Sequence, residues 1–305
     1  MKKNSLTYIN ENASENVNEF IAESESRFDA AVDRAVDGFL SNENYDIVML
    51  AGPSSSGKTT TAGKIAEKIR SRGKNAYTVS LDDFYLNRAD IPMGDDGLAD
   101  FESVYALDIA LIQETFSKLI TEREADLPFY DFGTGTRKKE TKHIKLQSSD
   151  VLVVEGLHAL NPVITEGLDA KHLYKMYISV SSRVFDDDGS IVFNKRNLRL
   201  VRRIIRDAKH RGTSAEDTLM RWQSVLNGED RYLFPFESYA DIKVDSFHPY
   251  EPCIFRGEVL KQLDTVEKQS PYYEKARELR SAFDAVEEIN PSFLPENSLL
   301  CEFLR

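Results

Sequence analysis

At 305 residues and 41% hydrophobic content, the chain can build one large domain, or one domain with appendages. Its 39 basic and 51 acidic residues leave a net charge of −12, which excludes a general nucleic-acid binder, because a phosphate backbone needs a basic surface. Two distant cysteines that match no zinc or disulfide spacing, a polar start without an apolar signal core, and no apolar run near ~20 residues together lead us to expect a cytoplasmic protein outside the membrane.

In chain order, residues 1–12 are polar and read as loose. Residues 14–40 carry Val17, Phe20, Ile21, Phe28, Val32, Val36 and Phe39 at spacings of three and four, the pattern of a helix packed on the domain. Asp46 to Ala51 reads as a buried strand. It runs into Gly52-Pro53-Ser54-Ser55-Ser56-Gly57-Lys58-Thr59, the G-x-x-x-x-G-K-[ST] pattern of a phosphate-binding loop. Its glycines let the backbone curl so that N–H groups point at a phosphate chain. Lys58 is placed to reach the β- and γ-phosphates of ATP, the Thr59 hydroxyl to hold Mg²⁺, and Thr60 to extend the nucleotide-binding run. A helix from Thr59 to Arg72 follows, with Gly73 as its stop.

Ala76 to Leu81 reads as a second strand ending in Asp82-Asp83-Phe84-Tyr85. Ligands in open α/β sheets gather at such strand ends. Transfer to an alcohol needs a carboxylate that orients the hydroxyl and takes its proton, so Asp82 is the candidate base, with Asp83 as the alternative or a magnesium-side group. Residues 87–100 read as a loop and 101–124 as a helix. Tyr130 and Arg137, flanking a glycine stretch, read as substrate-facing. The Asp131-Phe132-Gly133 triplet is not read as a protein-kinase motif, because the glycine loop is of the other type and no H-R-D occurs.

Asp150 to Gly156 is a third buried strand, and Glu155 at its end fits a magnesium-steering acid. Tyr174 to Val180 is a fourth. Residues 184–197 are polar and irregular, with Asp186-Asp187-Asp188-Gly189 a turn that lacks the register of a calcium loop. The next helix sets Leu198, Val201, Ile204 and Ile205 against Arg199, Arg202, Arg203 and Arg206. So concentrated an arginine face in an acidic chain calls for an anionic partner, and a lid helix closing over ATP meets that need. Ala215 to Leu226 is helical, Tyr239 to Val244 a short strand, and the residues after about 252 an appendix that clamps the core or meets a second subunit. The expected division is an N-terminal helical extension (1–44), a P-loop domain (45–250) and a C-terminal helical appendix (251–305).

This order of motifs resembles the uridine kinase / phosphoribulokinase family: Gly52–Thr59, Asp82-Asp83-Phe84-Tyr85, Tyr130-Asp131-Phe132 with Arg137, Glu155-Gly156, Arg199 with Arg202 to Asp207, Arg211-Gly212, and Tyr239-Ala240-Asp241. Ser80 to Asp83, Asp100 to Ser103, Glu155 to Pro162 and Phe234-Pro235-Phe236 are similar to a bacterial uridine-kinase-like branch, here without that branch's N-terminal TGS region. The resemblance implies a P-loop three-layer α/β sandwich around a mostly parallel five-stranded sheet. It implies an ATP·Mg²⁺ donor and a primary hydroxyl acceptor such as a nucleoside 5′-OH. On these positions it puts the general base at Asp82, the magnesium acid at Glu155, a nucleoside contact at Tyr130 and a lid arginine at Arg199, with Arg203 and Arg206 toward the nucleotide. Asp83, Tyr85, Glu102 and Arg137 fall on the substrate side, Glu102 where uridine kinases have an aspartate near the sugar. The histidine that reads the pyrimidine in those enzymes is replaced by Gly135. Two alternatives therefore stand beside a nucleoside kinase: a kinase of another hydroxyl compound, such as a sugar phosphate or vitamin precursor, and a nucleotide-binding regulator with little turnover. A GTPase is disfavoured, since Asn194-Lys195-Arg196-Asn197 lacks the aspartate of N-K-x-D.

Overall fold

The computed structural model describes residues 4–94, 97 and 99–305. Of the loop expected at 87–100, Asp95, Asp96 and Leu98 lie outside the described residues, as do residues 1–3. Five strands form the central sheet: β1 (Ile47–Ala51), β2 (Ala76–Ser80), β3 (Val151–Glu155), β4 (Leu173–Ser179) and β5 (Ile242–Asp245), in the order β5-β4-β1-β3-β2. Every pairing in it is parallel. β1 and β3 are buried along their whole length, which is why both read as unbroken apolar runs. Ile47, Met49 and Ala51 face one apolar layer while Val48 and Leu50 face the other, as the period of two requires.

Two strand registers matter for chemistry. Leu50 of β1 lies opposite Glu155 of β3, and Glu155 lies opposite Ser80 of β2. The start of the glycine loop, the acid at the end of β3 and the turn carrying Asp82 therefore share one level at the carboxyl edge of the sheet. Chain order reverses there too, because β3 inserts between β1 and β2 while β4 pairs on the far side of β1.

The helices are α1 (Leu6–Glu15), α2 (Val17–Leu40), α3 (Lys58–Ser71), α4 (Ile109–Thr121), a short turn at Pro162–Thr165, α5 (Lys195–Arg211), α6 (Ala215–Tyr232), α7 (Glu251–Leu263), α8 (Tyr273–Asp284) and α9 (Cys301–Leu304). The stretch expected to be loose is α1. Ser5 caps it by accepting from Tyr8 N (3.3 Å), and Leu6, Ile9 and Ala13 are buried. The helix expected at 101–124 begins only at Ile109. Asp108 caps it through Leu111 N (3.1 Å), and the residues before it form a 3₁₀ turn (Val104–Ala106) that frees Phe101 and Glu102 from helical geometry. Residues 184–197 hold a small hairpin, Val184–Phe185 with Ile191–Phe193, closed by the turn at Asp186–Gly189. α1 and α2 and the segment after α7 join the same apolar layer as α3 and α5, so residues 6–40 and 266–304 pack on the face of the sheet that α3 covers.

Candidate active site

The loop 52–59 is shaped by steric necessity. A Cβ on Gly52 would lie 2.2 Å from the Ile178 carbonyl oxygen, and Gly57 has φ 88°. Ser55 holds φ 58° without being glycine, a strained conformation of the kind that collects at ligand sites. The hydroxyls of Ser55 and Ser56 are buried and have no hydrogen-bond partner among the described residues. At the start of α3 the first N–H groups have no carbonyl one turn back to bind, which leaves them for an anion. Lys58 folds back so that its Nζ donates to Pro53 O (3.2 Å). The Thr59 hydroxyl donates to Glu155 Oε1 (3.3 Å).

Ser80 ties the acids together. Its Oγ donates to Glu155 Oε1 (2.8 Å) and accepts from Asp82 N (3.3 Å) at the head of the 3₁₀ turn Leu81–Phe84. Burial pushes the Glu155 carboxyl up to about 7; the Asp82 charge adds to this, and Lys58 and the Ser80 hydrogen bond oppose it. The Asp82 charge also reaches Glu102 and Tyr85. Asp83 does different work: its Oδ1 accepts from Tyr130 N (3.3 Å) and so pins the hairpin 130–137 to the turn after β2. Burial raises its carboxyl, with the Tyr130 N–H opposing.

That hairpin, Tyr130–Asp131 with Thr136–Arg137, brings an aromatic cluster to the site. The Tyr130 ring centroid lies 5.5 Å from Tyr85 and 5.0 Å from Phe132, and Tyr85 lies 6.3 Å from Phe101. Tyr85 OH donates to Phe101 O (2.9 Å). Phe101 and Phe132 remain exposed, and Arg211 stands over the Phe132 ring at 6.0 Å. None of Phe101, Phe132 and Arg211 was singled out as a site residue from sequence. Phe101 adjoins Glu102 and Phe132 lies two residues past Tyr130, whereas Arg211 lies five residues past Arg206, at the end of the arginine helix. Arg137 is occupied: it donates to Asp108 Oδ2 (3.1 Å) and Tyr85 O (3.2 Å), holding the hairpin against the loop. Gly135 has φ 70°, and a Cβ there would lie 2.8 Å from Arg88 Nε. A histidine at this position would be strained and obstructed by the arginine at once.

Glu102 packs flush on α6, where a Cβ on Gly228 would lie 2.2 Å from its own Cβ. Burial pushes Glu102 up to about 7, with Arg203 and Lys58 opposing and Glu229 and Asp82 adding. His158 sits next to Tyr232, ring centroids 6.1 Å apart, and neither ring nitrogen has a partner meeting hydrogen-bond geometry. Burial and the Lys58 charge drop it to about 3, so it is neutral. A carboxyl that binds its proton more tightly when folded adds stability that is full below about pH 4.5 and is lost as pH rises through about 7. Glu102→Gln therefore raises the melting temperature at about pH 8 and leaves it nearly unchanged at about pH 4.5, a difference read by calorimetry at the two pH values.

The arginine helix α5 grips the loop itself. Arg199 forms a two-pronged pair with Glu229 (2.6 and 2.8 Å) and donates to Ser54 O (3.1 Å), while Ser54 N donates to Glu229 Oε1 (2.9 Å). Arg202 pairs with Glu251 (2.7 Å twice) and donates to Ser55 O (3.3 Å). Arg199 is 3% exposed and Arg202 0%, and both partner glutamates are fully buried. These two guanidiniums are fixed by carboxylates and main chain, unlike the free lid face expected from sequence. Arg203 and Arg206 remain partly exposed. Arg203 donates to Ser54 Oγ (2.7 Å), and both share Asp207 with Arg211 (3.3, 2.8 and 3.7 Å). Asp207 faces all three guanidiniums, and the charges of Glu102 and Asp82 also reach Arg203 and Arg211, respectively. Across α3, the loop also meets a residue from far along the chain: Glu302 Oε2 accepts from Thr60 N (3.3 Å) and Thr60 Oγ1 (2.7 Å).

Among the described residues no helix is long and apolar enough to cross a membrane. Residues 47–250 match the model of the Phosphoribulokinase / Uridine kinase family. The uridine kinase of Bacillus pumilus is 31% identical over 64% of this chain and 84% of its own length, and that of Lactobacillus helveticus 28% over 65% and 85%. The solved phosphoribulokinase of Rhodobacter spheroides aligns with 68% of this chain and 75% of its own at 19% identity, TM-score 0.45. The glycine loop, the level acids and the match of residues 47–250 to the family model lead to one assignment: the chain belongs to the phosphoribulokinase / uridine kinase family and is a phosphotransferase with an alcohol acceptor.

Proposed function

We propose that this kinase moves the γ-phosphate of ATP to the primary hydroxyl of a nucleoside-like acceptor, as in uridine or cytidine. The observation that carries this reading is the placement of Asp82 in the turn that also carries Tyr85, whose ring joins the cluster of Phe101, Tyr130 and Phe132, a charge next to flat apolar surfaces. Two aromatic faces left exposed suit a planar base better than a bare sugar.

In this reading the amides at the head of α3 and Lys58 hold the donor phosphates. Asp82 orients the acceptor hydroxyl and takes its proton. Glu102 and Tyr130 bound the acceptor, and Asp83, Tyr85 and Arg137 hold that wall in place. Arg203 and Arg206, with Arg211, balance charge on the transferring group. Arg199 acts through the loop main chain. The Thr59 hydroxyl and the Glu155 carboxylate meet at 3.3 Å, a pair of hard oxygens that fits Mg²⁺, an ion that takes few protein ligands beside phosphates and waters. When bound, Mg²⁺ would neutralise charge on the donor phosphates. Two unpaired cysteines accord with a cytoplasmic setting.

A second acceptor class has its own support. Arg88 lies against Gly135, where the pyrimidine reader would stand, and an arginine there favours an acceptor bearing an anionic group, such as a sugar phosphate. Purified protein with Mg·ATP, assayed for ADP release with uridine, cytidine and ribulose 5-phosphate, separates the readings. Stimulation by the nucleosides alone is expected. Stimulation by the sugar phosphate alone transfers the assignment, and ATP binding without release on any acceptor points to a regulator. Lys58→Ala is expected to reduce release to background in the same assay, with the fold intact by circular dichroism.

A further inference from the structure

Residues 298–304 seal one side of the glycine loop. Ser298 Oγ donates to Glu25 Oε1 (2.6 Å) and lies 3.1 Å from Tyr250 OH, which fixes the segment to α2 and to the head of α7. Leu299 lies directly under Gly57, where a Cβ would come within 2.5 Å of its Cδ1. Phe303 lies under the Arg202 guanidinium, 5.2 Å from Cζ to ring centroid. Lys209 Nζ donates to Leu304 O (2.5 Å). Between these anchors Glu302, only partly buried, extends its carboxylate to the amide and hydroxyl of Thr60.

A triphosphate laid along the head of α3 has its β- and γ-phosphates at Lys58 and its α-phosphate at the backbone amides of the cradle. Glu155 and Asp82 lie on the Thr59 side of that line, where the γ-phosphate must meet the acceptor. The opposite side, at Thr60, is left for the phosphate nearest the nucleoside. That seat is filled by the Glu302 carboxylate, an anion bonded to the groups a phosphate oxygen would use. Two anions do not share one amide and one hydroxyl. Leu299, Leu300 and Phe303 are fully buried, so the segment stays docked and the seat opens by rotation of the Glu302 side chain.

We propose that Glu302 holds donor affinity down: it is an internal anion that the nucleoside-side phosphate of the donor must displace from Thr60, while the β- and γ-seats at Lys58 stay open. The inference rests on the reading of the loop as the donor site. Its test is calorimetric binding of ATP and of inorganic pyrophosphate to the full chain and to the variants Glu302→Gln and Glu302→Ala, with melting temperatures to confirm folding. Both variants bind ATP about tenfold more tightly than the wild type, the size expected for removing a charge-assisted competitor, while pyrophosphate affinity moves by less than about threefold. Unchanged or weaker ATP binding in both variants overturns the role of Glu302 and leaves the donor site standing. An equal gain for ATP and pyrophosphate overturns it too, since it marks a general field effect with no seat at Thr60. No binding of either compound to any of the three proteins overturns the donor site and this inference together.

Discussion

Asp82→Asn lowers turnover by about 10²–10⁴-fold and leaves ATP affinity within about twofold. The carboxylate of Asp82 accepts no hydrogen bond among the described residues, whereas its backbone N–H is bonded to Ser80 Oγ. The side chain is thus spare for the acceptor, and the turn that carries it does not depend on it. Asparagine keeps the shape and the capacity to accept a hydrogen bond from the hydroxyl, yet cannot take its proton at neutral pH. The loss falls on the chemical step and spares donor binding. Steady-state ADP release and calorimetric ATP binding check the two halves. Wild-type turnover in this variant would move the base to Asp83 or Glu102.

The second large effect concerns the grip of α5 on the loop. Arg199→Ala leaves the Glu229 carboxylate buried without its partner, and breaking such a pair costs about 3–5 kcal/mol. The single variant is expected to unfold well below the wild type on a denaturant curve. The double variant Arg199→Met with Glu229→Leu replaces the pair by apolar groups of similar volume and recovers most of that stability. It does not recover activity, because Ser54 N and Ser54 O lose the partners that set the loop. Turnover down by more than about tenfold in a stable double variant separates a positioning role from a structural one. Full activity in that variant would reduce the pair to packing.

Legibility in the sequence followed the range of the interactions. The glycine loop, its flanking strand and helix, and the stop at Gly73 with φ 89° are local patterns and could be read directly. The parallel sheet came from the resemblance of the ordered motifs; of the two strands that lead to acids, only the one ending at Glu155 is buried throughout, while the one before Asp82 is half-buried. α1 escaped because its three buried positions are diluted by polar residues, and its stability comes from the Ser5 cap and the layer it joins. The false start of α4 has a similar origin: Val104 and Leu107 keep helical spacing, but Asp108 caps from outside the helix. The arginine face of α5 was visible as a pattern while its partners were not, since Glu229 and Glu251 lie 30 and 49 residues away in sequence. Glu302 lies 242 residues from Thr60, beyond any periodicity or motif. Gly135 was read as a missing side chain, and only the structure adds Arg88 standing against it.

The central claim is that an alcohol is held between Asp82 and a phosphoryl group gripped at Lys58. A crystal structure with a non-hydrolysable ATP analogue, Mg²⁺ and the best acceptor from the panel tests it most directly. The acceptor hydroxyl should lie within hydrogen-bond reach of the Asp82 carboxylate, about 2.6–3.2 Å, and face the terminal phosphate at Lys58. A terminal phosphate seated elsewhere, or an acceptor hydroxyl held by another acid with Asp82 turned to solvent, would contradict it.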